Sequence, residues 1–280
     1  VLWVLVASVV AIWVWRVVSL DWIAAGDLSV IRIRALDVGT ANTPLVGAYS
    51  RFKWNHPGPA LSFAFAPWAR LTGSSGVGIL LGSLVSNLLA LGGALWVARR
   101  AGRSMFACTA VVLAAFMLLL HPGELYNPWN PYVIVVPLTA SVLASWGAWR
   151  GDRVAAIVLV LAASFAIQGH LGAAPLGLAA LAVGTLGLLR RWLRPPDGTD
   201  PRSASRTLLV AGGVLFVCWI PPLVDELFVS HNITRIVDFQ LHDSQATAGL
   251  RFAIDQMTRL LTFPPGRAIG FPGVVGTGPV

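Results

Sequence analysis

The segment from Asp21 to Pro59, DWIAAGDLSVIRIRALDVGTANTPLVGAYSRFKWNHPGP, is the longest polar interval between two strongly apolar regions of the chain. It holds three carboxylates, three arginines and the only lysine, Lys53, and it ends in a His-Pro-Gly-Pro turn. The residues on both sides have the composition of membrane-spanning helices. We therefore interpret this segment as the active loop and the apolar segments as its scaffold.

The composition excludes an ordinary soluble globule. The chain is 56% hydrophobic and only 11% charged, with a mean hydropathy of +0.73. The formal net charge of +8 comes from arginines in short clusters between apolar runs, a pattern that indicates membrane orientation and not a nucleic-acid surface. Both cysteines, Cys108 and Cys218, fall inside apolar runs, where we expect packing residues and neither a disulfide nor a metal site.

Seven apolar segments are predicted to be transmembrane helices, so the predicted fold is an all-α polytopic membrane protein. These spans are about 1–20, 76–98, 104–120, 132–149, 154–168, 171–189 and 207–224. The transmembrane domain therefore covers residues 1–224, and its long outer loop, 21–75, is expected to bear interfacial helices such as Gly58–Leu71. Residues 225–280 are interpreted as the start of a further extracytoplasmic loop in the N-terminal portion of a longer protein.

The arginines orient the predicted bundle in the cell membrane. With seven spans, the loops 99–103, 150–153 and 190–206 share one side and carry ten arginines, so the positive-inside rule makes that side cytoplasmic. The opposite side receives all five histidines and nine of the twelve carboxylates. We therefore expect the chemistry on the extracytoplasmic face.

Two carboxylates of the active loop are candidates for chemistry. Asp27 follows the first span, where a carboxylate can accept a proton from a hydroxyl or bind a divalent cation beside a phosphate. Asp favours helix N-caps equally, so that role stays open for Asp27. Asp37 is a second candidate, and a carboxylate in its position is more often a turn residue.

The second half of the active loop offers residues for substrate binding. His56 precedes a proline and is held by an extended backbone, which suits either a catalytic ring or a structural hydrogen bond. Arginine forks match phosphate oxygens, but lipid headgroups attract them too. Aromatic rings can stack on a sugar or mark the membrane interface. The phosphate candidates are Arg34, Arg51 and Lys53, and the aromatic candidates are Tyr49 and Trp54.

Two further outer segments add polar candidates. The turn-rich loop His121–Pro131 contributes His121, Glu124 and Asn127, in a proline-stiffened sequence that suits a site wall or a tight turn. His170 lies in the Gln-Gly-His break that divides the charge-free stretch 154–189 into two spans. The sequon-like triplet at Asn232 is interpreted as a chance match.

The active loop resembles the first outer loop of the GT-C superfamily, integral membrane glycosyltransferases that use polyprenyl-phosphate sugars. The protein mannosyltransferase and aminoarabinose transferase branches are examples. The resemblance is carried by Gly26-Asp27, by Pro44-Leu45 with Tyr49-Ser50-Arg51, by Trp54-Asn55-His56-Pro57-Gly58-Pro59 and by Leu71-Thr72-Gly73. A later stretch, Trp219–Asp225 with Asn232, is similar to actinobacterial members.

The resemblance implies a catalytic base or metal-linked carboxylate at Asp27 and a site turn at His56-Pro57, with Asn55 among the residues that contact substrate. It implies a polyprenyl-phosphate-sugar donor, membrane lipids and an extracytoplasmic glycan, lipid or protein acceptor, and no nucleic acid. Leu28 and Gly58 depart from the superfamily's second acidic residue and second proline. A divalent cation, Mg²⁺ or Mn²⁺, therefore stays an open alternative, and no nucleotide cofactor is predicted.

Two other classes stay open beside a glycosyltransferase or a related polysaccharide polymerase. A transporter or flippase also has many spans, but it usually places charges or broken helices at mid-membrane. The spans between Gly76 and Leu189 carry no formal charge inside their predicted limits, which argues against proton or ion coupling. A non-catalytic cell-envelope assembly protein would not need clustered outer carboxylates and histidines.

Overall fold

The computed structural model describes residues 2–73, 75–119, 122–198, 200–242 and 249–261. These residues form no β-strand, so the all-α prediction is confirmed for them. The helices in chain order are α1 (Leu2–Val18), α2 (Asp27–Asp37), α3 (Ala60–Leu71), α4 (Val77–Ala101), α5 (Arg103–Leu119), α6 (Asn130–Val133), α7 (Val135–Trp149), α8 (Arg153–Gly169), α9 (Ala174–Leu193), α10 (Pro201–Phe228), α11 (Asn232–His242) and α12 (Gly249–Leu261). Two short 3₁₀ turns, Pro122–Leu125 and Leu171–Ala173, precede α6 and α9.

Four of these helical segments are long and apolar enough to cross a membrane. They are Val77–Ala101, Asn130–Trp149, Leu171–Leu193 and Arg202–Phe228. The other three predicted spans also fall on apolar helices, α1, α5 and α8, but each of these has 17 residues. Seventeen residues rise about 26 Å, close to the lower limit for crossing the hydrocarbon core.

Small side chains allow the central helices to approach closely. α7 packs against α8 and α9, and α10 covers α8 and α9. The core between them contains Ala144, Ala148, Ala155 and Ala163, all fully buried. Helices in an apolar environment associate through such close packing, because lipid tails compete with larger apolar side chains.

The arginine-rich loops meet at one end of this bundle. Arg100 at the end of α4 pairs with Asp152, which also caps α8 by accepting the backbone N–H groups of Val154 and Ala155. Arg191 at the end of α9 donates to the Trp149 carbonyl at 3.3 Å. α8 begins at this end and ends at Gly169, which lies beside the outer loop. The two ends of α8 are thus chemically different.

The outer loop folds as two helices that pack on the bundle. α2 packs on α3, and α3 packs on α4. Ile31, Ala35, Phe65 and Ile79 are the buried contacts of this small core. The predicted interfacial helix is α3, which begins directly after Pro59.

α10 continues through two prolines and beyond the predicted end of its span. Pro222 has no N–H to donate to the carbonyl four residues earlier, Cys218 O. The Gln168 side chain supplies that bond instead, with its Nε2 at 2.8 Å from Cys218 O. The following region, which the sequence analysis interprets as an outer loop, forms α11 and α12. The remainder of the predicted outer loop, from 262 onward, lies outside the described residues.

Candidate functional site

A cavity of about 990 Å³ lies where the outer loop meets the bundle. Helices α2 and α11, the loop before α3 and the turn between α8 and α9 contribute to its wall. Six of the residues predicted from the sequence line it: Asp27, Tyr49, Arg51, Trp54, His56 and His170. Four of the six lie between residues 49 and 56, and the fold brings Asp27 and His170 to the same cavity.

A tight hairpin over residues 47–56 carries four of these six residues. Gly47 N–H donates to the His56 carbonyl at 2.9 Å, and His56 N–H donates to Ala48 O at 2.8 Å. Ser50 N–H donates to Trp54 O at 2.9 Å, which closes the turn, and Lys53 adopts φ +68° there. We call residues 47–56 the site hairpin.

The site hairpin packs directly on the end of α8. A Cβ at Gly47 would lie 2.8 Å from Gly58 O and 3.1 Å from Gln168 O, so only glycine fits. A Cβ at Gly58 would lie 2.4 Å from Gln168 Oε1. This contact gives a physical reason for glycine at position 58.

His56 and His170 form a pair at the junction of hairpin and turn. Their ring centroids are 4.7 Å apart. Leu171 N–H donates to His56 Nδ1 at 3.0 Å, and Gly172 N–H donates to His170 Nδ1 at 3.1 Å. A ring whose Nδ1 accepts a hydrogen bond is neutral and carries its proton on Nε2. Each ring therefore offers an N–H donor through Nε2.

Burial keeps both rings neutral. The pKa of His56 is lowered to about 4 by burial and then by the nearby His170. The pKa of His170 is lowered by burial as well. Protonation would also place an Nδ1–H against the backbone N–H that now donates to the ring. His56 is therefore suited to donating a hydrogen bond at neutral pH, and not to acting as a base through Nδ1.

Asp27 occupies the first position of α2 and does not cap it. The N-cap position belongs to Gly26, and no side-chain hydrogen bond is made there. Leu28 N–H and Ser29 N–H instead donate to the carbonyls of Ala25 and Gly26. Within the described part of the chain, the exposed Asp27 carboxylate has no ion-pair or hydrogen-bond partner. The alternative of an N-cap is wrong, and the carboxylate remains free to contact a ligand in the cavity.

An aromatic cluster from the site hairpin and α11 forms part of the cavity wall. Phe239 on α11 contacts both Phe52 and Trp54, with ring centroids 4.9 Å and 5.8 Å apart. Trp54 is 7% exposed, and its Nε1–H has no hydrogen-bond partner among the described residues. The Arg51 guanidinium lies 4.9 Å from the Phe52 ring centroid, which holds this cation at the cavity.

The other predicted residues lie away from this cavity. Arg34 lines a small neighbouring recess, and Lys53 lines a separate surface groove. The Asp37 carbonyl closes the turn after α2 by accepting from Thr40. The Asn55 main chain is bound by the Asn232 side chain.

The loop before α6 uses its polar residues internally. Asn127 Nδ2 donates to Glu124 Oε2 at 2.9 Å, and Ser83 on α4 donates to the Asn127 carbonyl at 2.8 Å. Neither Glu124 nor Asn127 lines the cavity. His121 lies outside the described residues.

Asn130, a further polar residue of the loop that the sequence indicates as a site wall, is 7% exposed, donates to Gly169 O at 3.3 Å and lines the cavity together with Trp129. Other residues of the cavity wall were not predicted from the sequence. Phe239 and Gln240 come from α11, far along the chain. A helical apolar periodicity over 232–242 would have indicated α11, but nothing local indicates which element it covers.

The donor set limits how a metal could bind. No group of three His, Cys, Asp or Glu side chains suited to a metal occurs in the described ranges. The two histidines present Nε2–H groups, which have no lone pair for a cation. A divalent cation here would rest on the Asp27 carboxylate and on oxygens of a bound phosphate, an arrangement that Mg²⁺ commonly adopts.

Protein-family models, curated proteins and solved structures were all compared with this chain, and none of them matches it.

Proposed function

We propose that this protein is a membrane glycosyltransferase of the GT-C kind, which transfers a sugar from a polyprenyl-phosphate donor to an extracytoplasmic acceptor. The observation that carries the proposal is the composition of the cavity. An unpaired carboxylate, an arginine, two neutral imidazole N–H donors and an aromatic wall line one space. Each of these groups has a distinct task in displacing a phosphate from a sugar.

The proposed topology has seven spans, with α1, α5 and α8 crossing beside the four longer segments. The contacts of Arg100 with Asp152 and of Arg191 with Trp149 support one arginine-rich, cytoplasmic end. The cavity residues follow α1 and α8 and precede α3 and α7, as an extracytoplasmic site requires. The membrane is then the plasma membrane of the cell.

Asp27 is the proposed base. The acceptor hydroxyl oxygen attacks the anomeric carbon, the bond from that carbon to the phosphate oxygen breaks, and the hydroxyl proton passes to the Asp27 carboxylate. The polyprenyl phosphate leaves with the bonding electron pair, and the anomeric configuration is inverted. General-base assistance of this kind contributes about 10²–10⁴ in rate.

The phosphate is proposed to bind at Arg51 and the histidine pair. An arginine donates two parallel hydrogen bonds to phosphate oxygens, and it keeps its charge as the leaving phosphate gains charge. The Nε2–H groups of His56 and His170 add two neutral donors. Donors that are fixed before the reaction stabilise developing charge most effectively. A divalent cation between Asp27 and the phosphate would add to this charge stabilisation.

Tyr49 and Trp54 are proposed to contact the sugar. Tyr49 is 64% exposed and lies at the cavity, so its ring is free to stack on a pyranose or furanose face. The unpartnered Trp54 Nε1–H is a donor that a substrate oxygen would satisfy, since a buried unpaired donor costs about 1–3 kcal/mol. Lipid headgroups and the acceptor would approach through the exposed side of the outer loop.

A transporter or flippase, or a non-catalytic assembly protein, is the alternative class. Neither class predicts sugar transfer that depends on the Asp27 carboxylate. A polysaccharide polymerase shares the displacement chemistry and differs in its acceptor.

The test is transfer of sugar from a polyprenyl-phosphate donor pool in membranes that carry the protein. Asp27→Asn keeps the size of the side chain and removes its charge and basicity. Asp37→Asn is the matched control, because it removes a carboxylate from the other end of the same helix, outside the cavity. We expect transfer to fall about 100-fold or more with Asp27→Asn and to stay within about threefold with Asp37→Asn.

Equal transfer by both variants and the wild type would contradict the assignment of Asp27. If the wild-type protein transfers sugar from no polyprenyl-phosphate donor, the glycosyltransferase proposal is wrong and the transporter and assembly classes gain support. Folding of each variant is checked by its thermal unfolding midpoint in detergent.

A further inference from the structure

The site hairpin is bound from outside by one buried side chain. Asn232 is 1% exposed and lies at the start of α11, beyond the last long helix. Its Oδ1 accepts the Asn55 N–H at 2.8 Å, and its Nδ2 donates to the Asn55 carbonyl at 3.0 Å. One amide thus satisfies both main-chain groups of the residue between Trp54 and His56.

Two carboxylates at the end of α10 hold Asn232 and its helix in place. The Asp225 carboxylate, 3% exposed, accepts the Asn232 N–H at 3.2 Å and the Ser230 hydroxyl at 2.7 Å. The Glu226 carboxylate accepts the N–H groups of Ile233 and Thr234. Two consecutive carboxylates at the end of α10 therefore fix the first turn of α11. Free N–H groups at a helix start favour such anionic acceptors.

We propose that Asn232 is a positioning residue for the cavity, which sets the site hairpin from α11 through Asn55. This proposal rests on the proposed function for its effect on sugar transfer. Asn55 lies between two cavity residues, so a fixed Asn55 main chain fixes the Trp54 and His56 side chains on either side. The same helix places Phe239 against Trp54, so one element sets both the hairpin and the aromatic wall.

The bidentate geometry makes asparagine specific at this position. Asn232 must present an acceptor and a donor side by side to match the N–H and C=O of one residue. It is also the acceptor residue of the sequon-like triplet, and its amide is fully buried and hydrogen bonded. The interpretation of that triplet as a chance match is consistent with this burial.

We call the two hydrogen bonds between the Asn232 side chain and the Asn55 main chain the clamp. Hydrogen exchange of the protein in lipid nanodiscs tests it directly. In Asn232→Ala, we expect the amide of Asn55 and its neighbours in the site hairpin to exchange about tenfold faster or more, because two hydrogen bonds are lost. Exchange in α7 and α8 should stay unchanged. Val237→Ala is the control, since Val237 is half exposed on the same helix.

Asn232→Asp supplies a readout that a merely structural role would not give. When its carboxyl group is protonated, the hydroxyl can donate to the Asn55 carbonyl and the clamp is restored. When it is ionised, one oxygen still accepts the Asn55 N–H, but the other opposes the Asn55 carbonyl oxygen with no proton between them, and a second charge lies beside Asp225. Exchange of the hairpin should therefore slow as pH falls in Asn232→Asp, and not in Asn232→Ala. Asp225, Glu226, His231 and His56 also face this region, so the wild type is measured over the same pH series.

Sugar transfer by the same variants separates this proposal from the proposed function. Faster hairpin exchange together with about tenfold or greater loss of transfer supports positioning. Unchanged hairpin exchange in Asn232→Ala overturns it, whatever the activity. Faster exchange with unchanged transfer also overturns it, since the hairpin would then not set the site. If the wild type transfers no sugar, the proposed function fails and the exchange results still decide the clamp.

Discussion

The imidazole rings of His56 and His170 lie 4.7 Å apart, and two consecutive N–H groups of one turn fix their tautomers. Leu171 N–H binds the first ring and Gly172 N–H binds the second. The turn can do this because Leu171 and Gly172 begin the 3₁₀ segment that leads into α9, and the first N–H groups of a helical segment have no carbonyl partner within it. The tautomers of the pair thus depend on the backbone geometry of this turn as well as on the histidine side chains.

The buried histidine pair predicts acid-sensitive stability. The folded pKa of His56, about 4, is below its ordinary value of 6.5, so the unfolded state binds more protons between these values. The stabilisation is complete above about pH 6.5 and is lost as pH falls toward 4. The His56 shift alone corresponds to about 3 kcal/mol in the free energy of unfolding. The lowered pKa of His170 acts in the same direction.

The measurement is the thermal unfolding midpoint in detergent from pH 7.5 to 4.5. We expect a smaller pH dependence in His56→Gln than in the wild type, because no ring at that position can titrate. His242→Gln is the control for removing a histidine, since His242 is exposed on α11 and pairs with the exposed Asp238 at the surface, where an ion pair contributes little. Equal slopes in all three proteins would show that His56 does not titrate abnormally.

A second prediction compares the two cations of the site hairpin. Arg51 lines the main cavity, and Lys53, two residues away, lines a different groove. If Arg51 binds the donor phosphate, Arg51→Gln should raise the KM for the donor about tenfold or more, because charge-assisted hydrogen bonds contribute about 1.5–3 kcal/mol. Lys53→Gln should change it by less than about threefold.

The comparison is made on initial rates of sugar transfer over a range of donor concentrations. A similar effect of both changes would indicate general attraction of an anionic lipid to the loop. No effect of either change would remove Arg51 from the phosphate site.

The helical fold could be predicted from the sequence, because apolar runs separated by arginine clusters indicate helices without knowledge of tertiary contacts. The break at Gln168–His170 was predicted for the same reason, since the charge-free stretch is too long for one helix. Only part of the cavity could be predicted from the sequence. Asp27, His56 and the hairpin residues lie in one loop, so proximity in sequence indicated proximity in space.

Other parts of the site depend on contacts that no local pattern contains. Glu124 and Asn127 are residue types typical of a site, but Asn127 donates a hydrogen bond to Glu124 and accepts the Trp129 N–H at the start of α6. Phe239 lines the cavity because the buried side-chain amide of Asn232, on the same helix, binds the Asn55 main chain. Main-chain groups are present in every residue, so sequence alone does not tell which of them a distant side chain binds.

A third prediction concerns the close contact at Gly58. In Gly58→Ala the new Cβ would meet Gln168 Oε1, Cδ and Cγ at 2.4–2.7 Å, and Gln168 is held by its bond to Cys218 O. We expect a loss of about 1–3 kcal/mol in the free energy of unfolding. Gly92→Ala is the control, because no atom lies within 4 Å of its Cβ position in α4. That change should stabilise the helix by about 0.5–1 kcal/mol. A thermal midpoint that rises in both variants would contradict the packing described here.

The last prediction tests why Gln168 is buried inside an apolar bundle. Gln168 is 2% exposed, and its Nε2 binds the carbonyl that Pro222 leaves without a helical partner. Gln168→Leu should therefore leave Cys218 O unsatisfied and cost about 1–3 kcal/mol. Pro222→Ala supplies an N–H four residues after Cys218, so it should restore the carbonyl's partner within α10.

The two changes should then be strongly non-additive. In the wild type, Pro222→Ala gains little, because Gln168 already satisfies the carbonyl. In the Gln168→Leu background the same change should recover much of the lost stability. A double-mutant cycle on thermal unfolding in detergent measures this coupling, which we expect to reach about 1 kcal/mol or more. Additive effects would mean that Gln168 is retained for its contacts with Gly58 and the site hairpin, and not for the carbonyl of α10.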